Sequence, residues 1–181
     1  MAGREKHVLL GVAGGIAAYK SAALASLLVR RGARVRVIMT RAATSFVGPL
    51  TFQSLTREPV LQEELTMDQE EQVAVHVAWA RWAHTTIVAP ATADLIGRAA
   101  AGLADDLLTA TLLCVRGRRL LAPAMNQLLW TNPLVRRNLE VLVAQGWEVV
   151  GPEEGPLADG DSGPGRMSEP ETLADRVLRE D

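Results

Sequence analysis

Two hydrophobic periods alternate along this chain, and that alternation constrains its fold more than any other feature. Residues 8–12 and 85–89 are short continuous apolar runs, the pattern of strands buried on both faces. Residues 33–39, 118–123 and 147–150 also read as strands, the first by alternating Val35, Val37 and Met39. Between them, residues 16–30, 73–83, 93–98, 104–115 and 133–145 carry apolar side chains at helical spacing. Glycines 32 and 146 stop the first and last of these helices. Strand–helix alternation of this kind fits a parallel sheet with right-handed crossovers. The expected fold is a single α/β domain over residues 1–181, a doubly wound parallel sheet of Rossmann or flavodoxin-like type with three layers. Residues 41–46 and a turn starting at Pro49 read as short helices, residues 65–72 as a surface loop and residues 171–179 as a closing helix. From Gly151 to Pro170 the sequence turns to Gly, Pro, Asp and Ser, which reads as a long loop.

Composition removes several function classes. A net charge of −2 gives no field that draws the chain to nucleic acid or an acidic membrane, and only 4% of residues are aromatic, too few for base-stacking platforms. The one cysteine, Cys114, excludes an internal disulfide and reads as core packing. His7, His76 and His84 have no metal-ligand spacing, so no metal is expected. The apolar stretch at residues 8–18 is broken by glycine and too short to span a bilayer, so a cytoplasmic location without membrane partners is expected.

Ligands of doubly wound folds bind outside the carboxyl ends of the strands. Gly14 and Gly15 follow the first strand, Thr40 the second, Pro90 to Thr92 the third and Pro123 to Asn126 the fourth, so four loops of small and hydroxyl residues should surround one crevice. The Gly11 to Gly15 turn would offer backbone N–H groups to an anion, or serve only as a tight turn. It lacks the second glycine of the dinucleotide fingerprint, and no acid follows Met39 to hold a ribose diol, which counts against NAD. Arg41 leaves NADP open, but a flavin mononucleotide fits better. His76 suits proton transfer near neutral pH, although spacing alone favours a structural histidine. Asn126 is suited both to orient a carboxylate and to cap the next helix. The glycine-rich segment at 155–167 reads equally as a lid or as a surface loop.

Several blocks, in order, resemble the homo-oligomeric flavin-containing cysteine decarboxylase family over residues 8–170. Residues 14–20 (Gly-Gly-Ile-Ala-Ala-Tyr-Lys) are similar to its first flavin loop, and residues 40–55, with Pro49-Leu50-Thr51-Phe52, to its next block. Residues 90–95 resemble its Pro-Ala-Ser/Thr-Ala-Asn/Asp motif, residues 123–130 its substrate motif with Leu129 in place of the usual Met, and His76 its active-site histidine. The resemblance implies FMN, with FAD left open, held by Gly14, Gly15, Ile16, Thr40, Phe46, Ala91, Thr92, Ala93, Asp94 and Ala124. It also implies His76 and Asn126 as catalytic residues, and a substrate held by Asn126, Met125, Asp159, Arg166 and Met167, with residues 152–169 as a clamp. Family members assemble as trimers, or as dodecamers of trimers, with sites between subunits; a homotrimer is expected.

Within the family the sequence is most similar to the phosphopantothenoylcysteine decarboxylases of coenzyme A synthesis, including Gly163 to Met167. Those enzymes carry a cysteine where this chain has Asp159. In the family, oxidation of the thiol carbon creates the electron sink that lets CO2 leave, and the coenzyme A enzymes then reduce the enethiolate with a proton from that cysteine. A carboxylate with an ordinary pKa of about 3.9 is ionised at pH 7 and a poor donor to an anion. The sequence therefore points to the peptide-processing branch, in which the C-terminal cysteine of a precursor peptide becomes an aminoenethiol for a peptide natural product. Phosphopantothenoylcysteine decarboxylation, a non-catalytic flavoprotein subunit and an NADP-dependent reductase are the alternatives.

Overall fold

A computed structural model describes residues 6–62, 73–158 and 160–179. Six strands form one parallel sheet: β1 (His7–Val12), β2 (Arg34–Met39), β3 (Val60–Leu61), β4 (Thr85–Ala91), β5 (Arg118–Pro123) and β6 (Trp147–Val149). Their order is β3-β2-β1-β4-β5-β6, with every neighbouring pair parallel. The chain winds outward from β1 in one direction, returns, and winds outward from β4 in the other. The switch point lies between β1 and β4, where such folds open a crevice at the strand ends.

The apolar runs become strands because both sheet faces are covered. On one face, Val8, Leu10, Val12, Val35 and Val37 pack with Leu24 and Leu28 of α1 (Ala18–Arg30), Phe52 of α2 (Pro49–Thr56) and Leu173 and Val177 of α8 (Pro170–Leu178). On the other, Leu9, Ile38, Val88 and Leu121 meet α3 (Val75–Trp82), α4 (Ala93–Ala100), α5 (Leu107–Cys114) and α7 (Pro133–Ala144). Burying a Val, Leu or Ile side chain contributes about 1.5–3 kcal/mol, a sizeable fraction of a domain's margin of about 5–15 kcal/mol, so polar residues are disfavoured at these positions.

Several expected elements change on folding. The first helix starts at Ala18 instead of residue 16, so residues 15–17 remain a turn, and residues 41–45 wind as a 3-10 turn. The extra strand β3 is only two residues long, too short to show a period. Residues 65–72, expected as a loop, lie outside the described residues. The main correction concerns residues 151–170, which are not a plain loop. They hold an antiparallel hairpin, β7 (Glu153–Pro156) with β8 (Ser162–Arg166), that forms a sheet of its own. A further short helix, α6 (Gln127–Trp130), follows β5. Among the described residues, no helix is long and apolar enough to cross a membrane.

Candidate functional site

A cleft of about 1260 Å³ opens at the carboxyl ends of β1, β2, β4 and β5. Its first wall is the turn from β1 into α1. Gly14, Gly15 and Ile16 line it, and a Cβ at Gly14 would overlap Ala42, so only glycine lets these two loops touch. The N-terminus of α1 has no side-chain cap and no acidic residue in its first turn, so no carboxylate there competes for an anion, although the Ala18 and Lys20 N–H groups donate to the Gly15 and Ala17 carbonyls. Thr40 lines the next wall and caps the 3-10 turn, its Oγ1 accepting the Ala43 N–H at 3.2 Å.

Thr92, Ala93 and Asp94 line the cleft after β4. Thr92 caps α4 by accepting the Leu95 N–H at 3.3 Å, which holds the turn that presents the other two. Ala91 is fully buried behind them, and its carbonyl accepts the Ala124 N–H at 3.1 Å. Ala91 thus supports the cleft without lining it. Ala124, Met125 and Asn126 form the wall after β5. Asn126 caps α6, its Oδ1 accepting the Leu128 N–H at 2.7 Å.

The hairpin closes the far side. Pro156, Leu157, Ala158, Gly165, Arg166 and Met167 line it there. The Met125 N–H donates to the Gly165 carbonyl at 3.0 Å, and a Cβ at Gly165 would overlap the Met125 carbonyl. The close seam between hairpin and β5 loop therefore requires glycine.

Two expected site residues, Phe46 and His76, stand elsewhere. Phe46 ends the 3-10 turn half-exposed and does not line the cleft. Asp159 lies outside the described residues. His76 lies in the first turn of α3, away from the cleft of its own chain, and its Nδ1 is buried without a hydrogen-bond partner among the described residues. Its helix is held firmly: the Arg36 guanidinium lies 4.4 Å from the Trp82 ring centroid and 5.2 Å from that of Trp79.

Sequence reasoning missed the ionic framework of the cleft. Lys20 lines it although the residue is only 8% exposed, and its Nζ donates to the Met167 carbonyl at 3.0 Å and to Glu169 Oε1 at 2.9 Å. The same Glu169 oxygen accepts from Arg166 at 2.6 Å. The Lys20 hydrogen bond, together with the charges of Lys20 and Arg166, holds the Glu169 carboxyl below its ordinary pKa although burial opposes this. Across the cleft, Arg98 pairs with Asp105 at 2.6 Å and Asp106 at 2.8 Å. Burial works against the Arg98 charge, but Asp106, Asp105 and Asp94 raise its pKa. Nothing in the spacing of Lys20 or Glu169 marks them as partners; the crossover that packs α8 on α1 joins them.

The residues fit a flavin nucleotide. Backbone approaches closely at Gly14, small side chains line the walls at Ala93 and Ala124, and the positive end of a helix without an acidic first turn suits the phosphate. Among the described residues, no group of three or more His, Cys, Asp or Glu side chains is placed to hold a metal ion.

Comparison with known proteins places the chain in a family. The sequence profile of a family described as Flavoprotein matches residues 2–180. The chain is 49% identical over 169 residues to the coenzyme A biosynthesis bifunctional protein CoaBC of Bacillus subtilis, a match covering 93% of this chain and 41% of that protein. The chain therefore spans about two fifths of the length of that curated relative. Among solved structures, a PPC decarboxylase carrying a cysteine-to-serine mutation, complexed with pantothenoylaminoethenethiol, superposes with a TM-score of 0.85 at 31% identity, covering 96% of this chain and 97% of that one. The FMN-dependent cysteine decarboxylase SpaF gives a TM-score of 0.81 at 30% identity, covering 96% and 95%.

Proposed function

Since the chain belongs to the flavoprotein family, we propose that it is a flavin-dependent decarboxylase of a cysteine carboxyl group, with phosphopantothenoylcysteine its leading substrate. One observation carries the reading: a single cleft has loops of small residues on one side and a hairpin seamed to the Met125–Asn126 loop on the other. That arrangement suits a planar cofactor and a substrate laid against it. The similarity to a coenzyme A biosynthesis protein favours phosphopantothenoylcysteine over a peptide.

FMN is the proposed cofactor, as in the FMN-dependent relative. Gly14, Gly15, Ile16 and Thr40, with Thr92, Ala93, Asp94 and Ala124, would hold it, while Ala91 supports the floor from behind. Bound flavin supplies the two-electron oxidising capacity that a plain cysteine carboxylate lacks. Asn126, at the seam, orients the carboxylate that leaves; its amide offers both donors and an acceptor. Arg166 and Met167 position the substrate from the hairpin, which serves as the clamp. His76 holds or moves the thiol proton. It does so in the cleft of a neighbouring copy, because its own cleft lies elsewhere. Exposed Ile16, Tyr19, Leu50, Leu128 and Leu134 support an assembly of copies, proposed as a trimer.

Asp159 favours a second reading, the oxidative decarboxylation of a peptide's C-terminal cysteine to an aminoenethiol. The coenzyme A enzymes that this chain resembles carry a proton-donating cysteine at that position. Incubation with phosphopantothenoylcysteine and with a cysteine-terminated peptide, followed by mass spectrometry, separates the readings. Loss of CO2 alone from the pantothenoyl substrate identifies a complete decarboxylase. Loss of CO2 plus two hydrogens from the peptide identifies the second. Absence of both products, in a protein shown to bind FMN, overturns both readings.

A further inference from the structure

We infer that Lys20 is a positioning residue: it latches the hairpin to the helix that begins at the first flavin loop, acting through Glu169 and the Met167 carbonyl. The inference deepens the proposed function and rests on it for the hairpin's role as clamp. Lys20 sits in the first turn of α1, six residues after Gly14, and is buried. Taking an ammonium out of water is costly unless charged and polar partners compensate, and here both are supplied by the segment leaving β8. Lys20 Nζ donates to the Met167 carbonyl at 3.0 Å, directly after the hairpin, and to Glu169 Oε1 at 2.9 Å, at the start of α8.

Glu169 passes the contact back into the hairpin. The same oxygen accepts from Arg166 Nη2 at 2.6 Å, and that guanidinium lies 3.6 Å from Glu153 on the opposite strand. One carboxylate therefore ties α1, both hairpin strands and α8 together. The hairpin shares no ladder with the main sheet; among the described residues it is also held by the bond from Met125 N–H to the Gly165 carbonyl and by Gln127 of α6 lying against Gly163. Among the charged residues that hold it over the cleft, Lys20 is the buried one. A lysine at this point fixes the clamp relative to the loop that holds the cofactor, so that the two walls of the site move as one.

Hydrogen exchange by mass spectrometry on the FMN-loaded protein tests this. In Lys20→Met, amides of residues 162–167 should exchange about tenfold faster or more, the scale of losing a charge-assisted hydrogen bond in a locally opening unit. FMN affinity should stay within about threefold. Lys20→Arg should restore protection. Glu169→Gln should speed the same amides, and the double variant should be no faster than the stronger single one. Asp175→Asn, which removes a different α1–α8 ion pair with Arg31, should leave the hairpin protected. If Lys20→Met does not fold, Glu169→Gln against Asp175→Asn decides the matter. Unchanged exchange at 162–167, additive single variants, or equal loosening by Asp175→Asn overturns the latch. The readout needs no turnover, so a protein that decarboxylates neither substrate sinks the functional reading while the exchange rates still judge the latch.

Discussion

At Gly14 the absence of one carbon decides whether two loops meet. A Cβ there would overlap both the side chain and backbone of Ala42, so Gly14→Ala should separate the walls of the cleft. Fluorescence titration with FMN should show affinity falling about tenfold or more, with about 1–3 kcal/mol lost from folding stability by thermal melting. His76 gives the opposite signature. Its Nδ1 has no partner among the described residues, so His76→Asn should shift stability by less than about 1 kcal/mol. Turnover should nevertheless fall about 10²–10⁴-fold if the ring carries the proton. The motif blocks made both residues visible in the sequence. Lys20 lay inside one of those blocks, yet its burial depends on a partner 149 positions later, beyond any local pattern.

Elements differed in how plainly the chain announced them. Strands buried on both faces are largely apolar, so β1 and β4 stood out as runs. The hairpin did not, because Gly155, Pro156, Gly163, Pro164 and Gly165 give it no alternation, and its glycines serve close approach more than strand propensity. Gly165→Ala should therefore loosen the hairpin by pressing on the Met125 carbonyl. Limited proteolysis should cut within residues 153–166 several-fold faster in that variant, with FMN binding retained. Acid should act on two other joints. Glu169 is held below its ordinary pKa by Lys20, and Glu148 by Arg118, which bonds it at 2.6 Å. Carboxyls with depressed folded-state pKa values contribute stability above the unfolded value of about 4.3 and lose it as pH falls through the folded one. Thermal melting should thus be flat from neutrality to about pH 5 and decline below it, and Glu148→Gln should shallow that decline.

For the whole molecule, topology carries the functional argument. The order β3-β2-β1-β4-β5-β6 puts the loops after β1, β2, β4 and β5 around one crevice, which the strand–helix alternation had already implied. Copy number was not legible, since no hydrophobic period records which exposed side chains meet another chain. Ile16, Leu128 and Leu134 stand 62%, 74% and 60% exposed. Light scattering after size exclusion should give three times the mass of one chain. Leu128→Glu together with Leu134→Glu should lower that mass and abolish turnover, while each chain stays folded by circular dichroism. The small sheet of β7 and β8 has a consequence of its own. Because none of its backbone ladder belongs to the large sheet, mutations can accumulate there without disturbing the strands that fold the protein. One wall of the cleft can thereby be reshaped on an inherited foundation that stays the same.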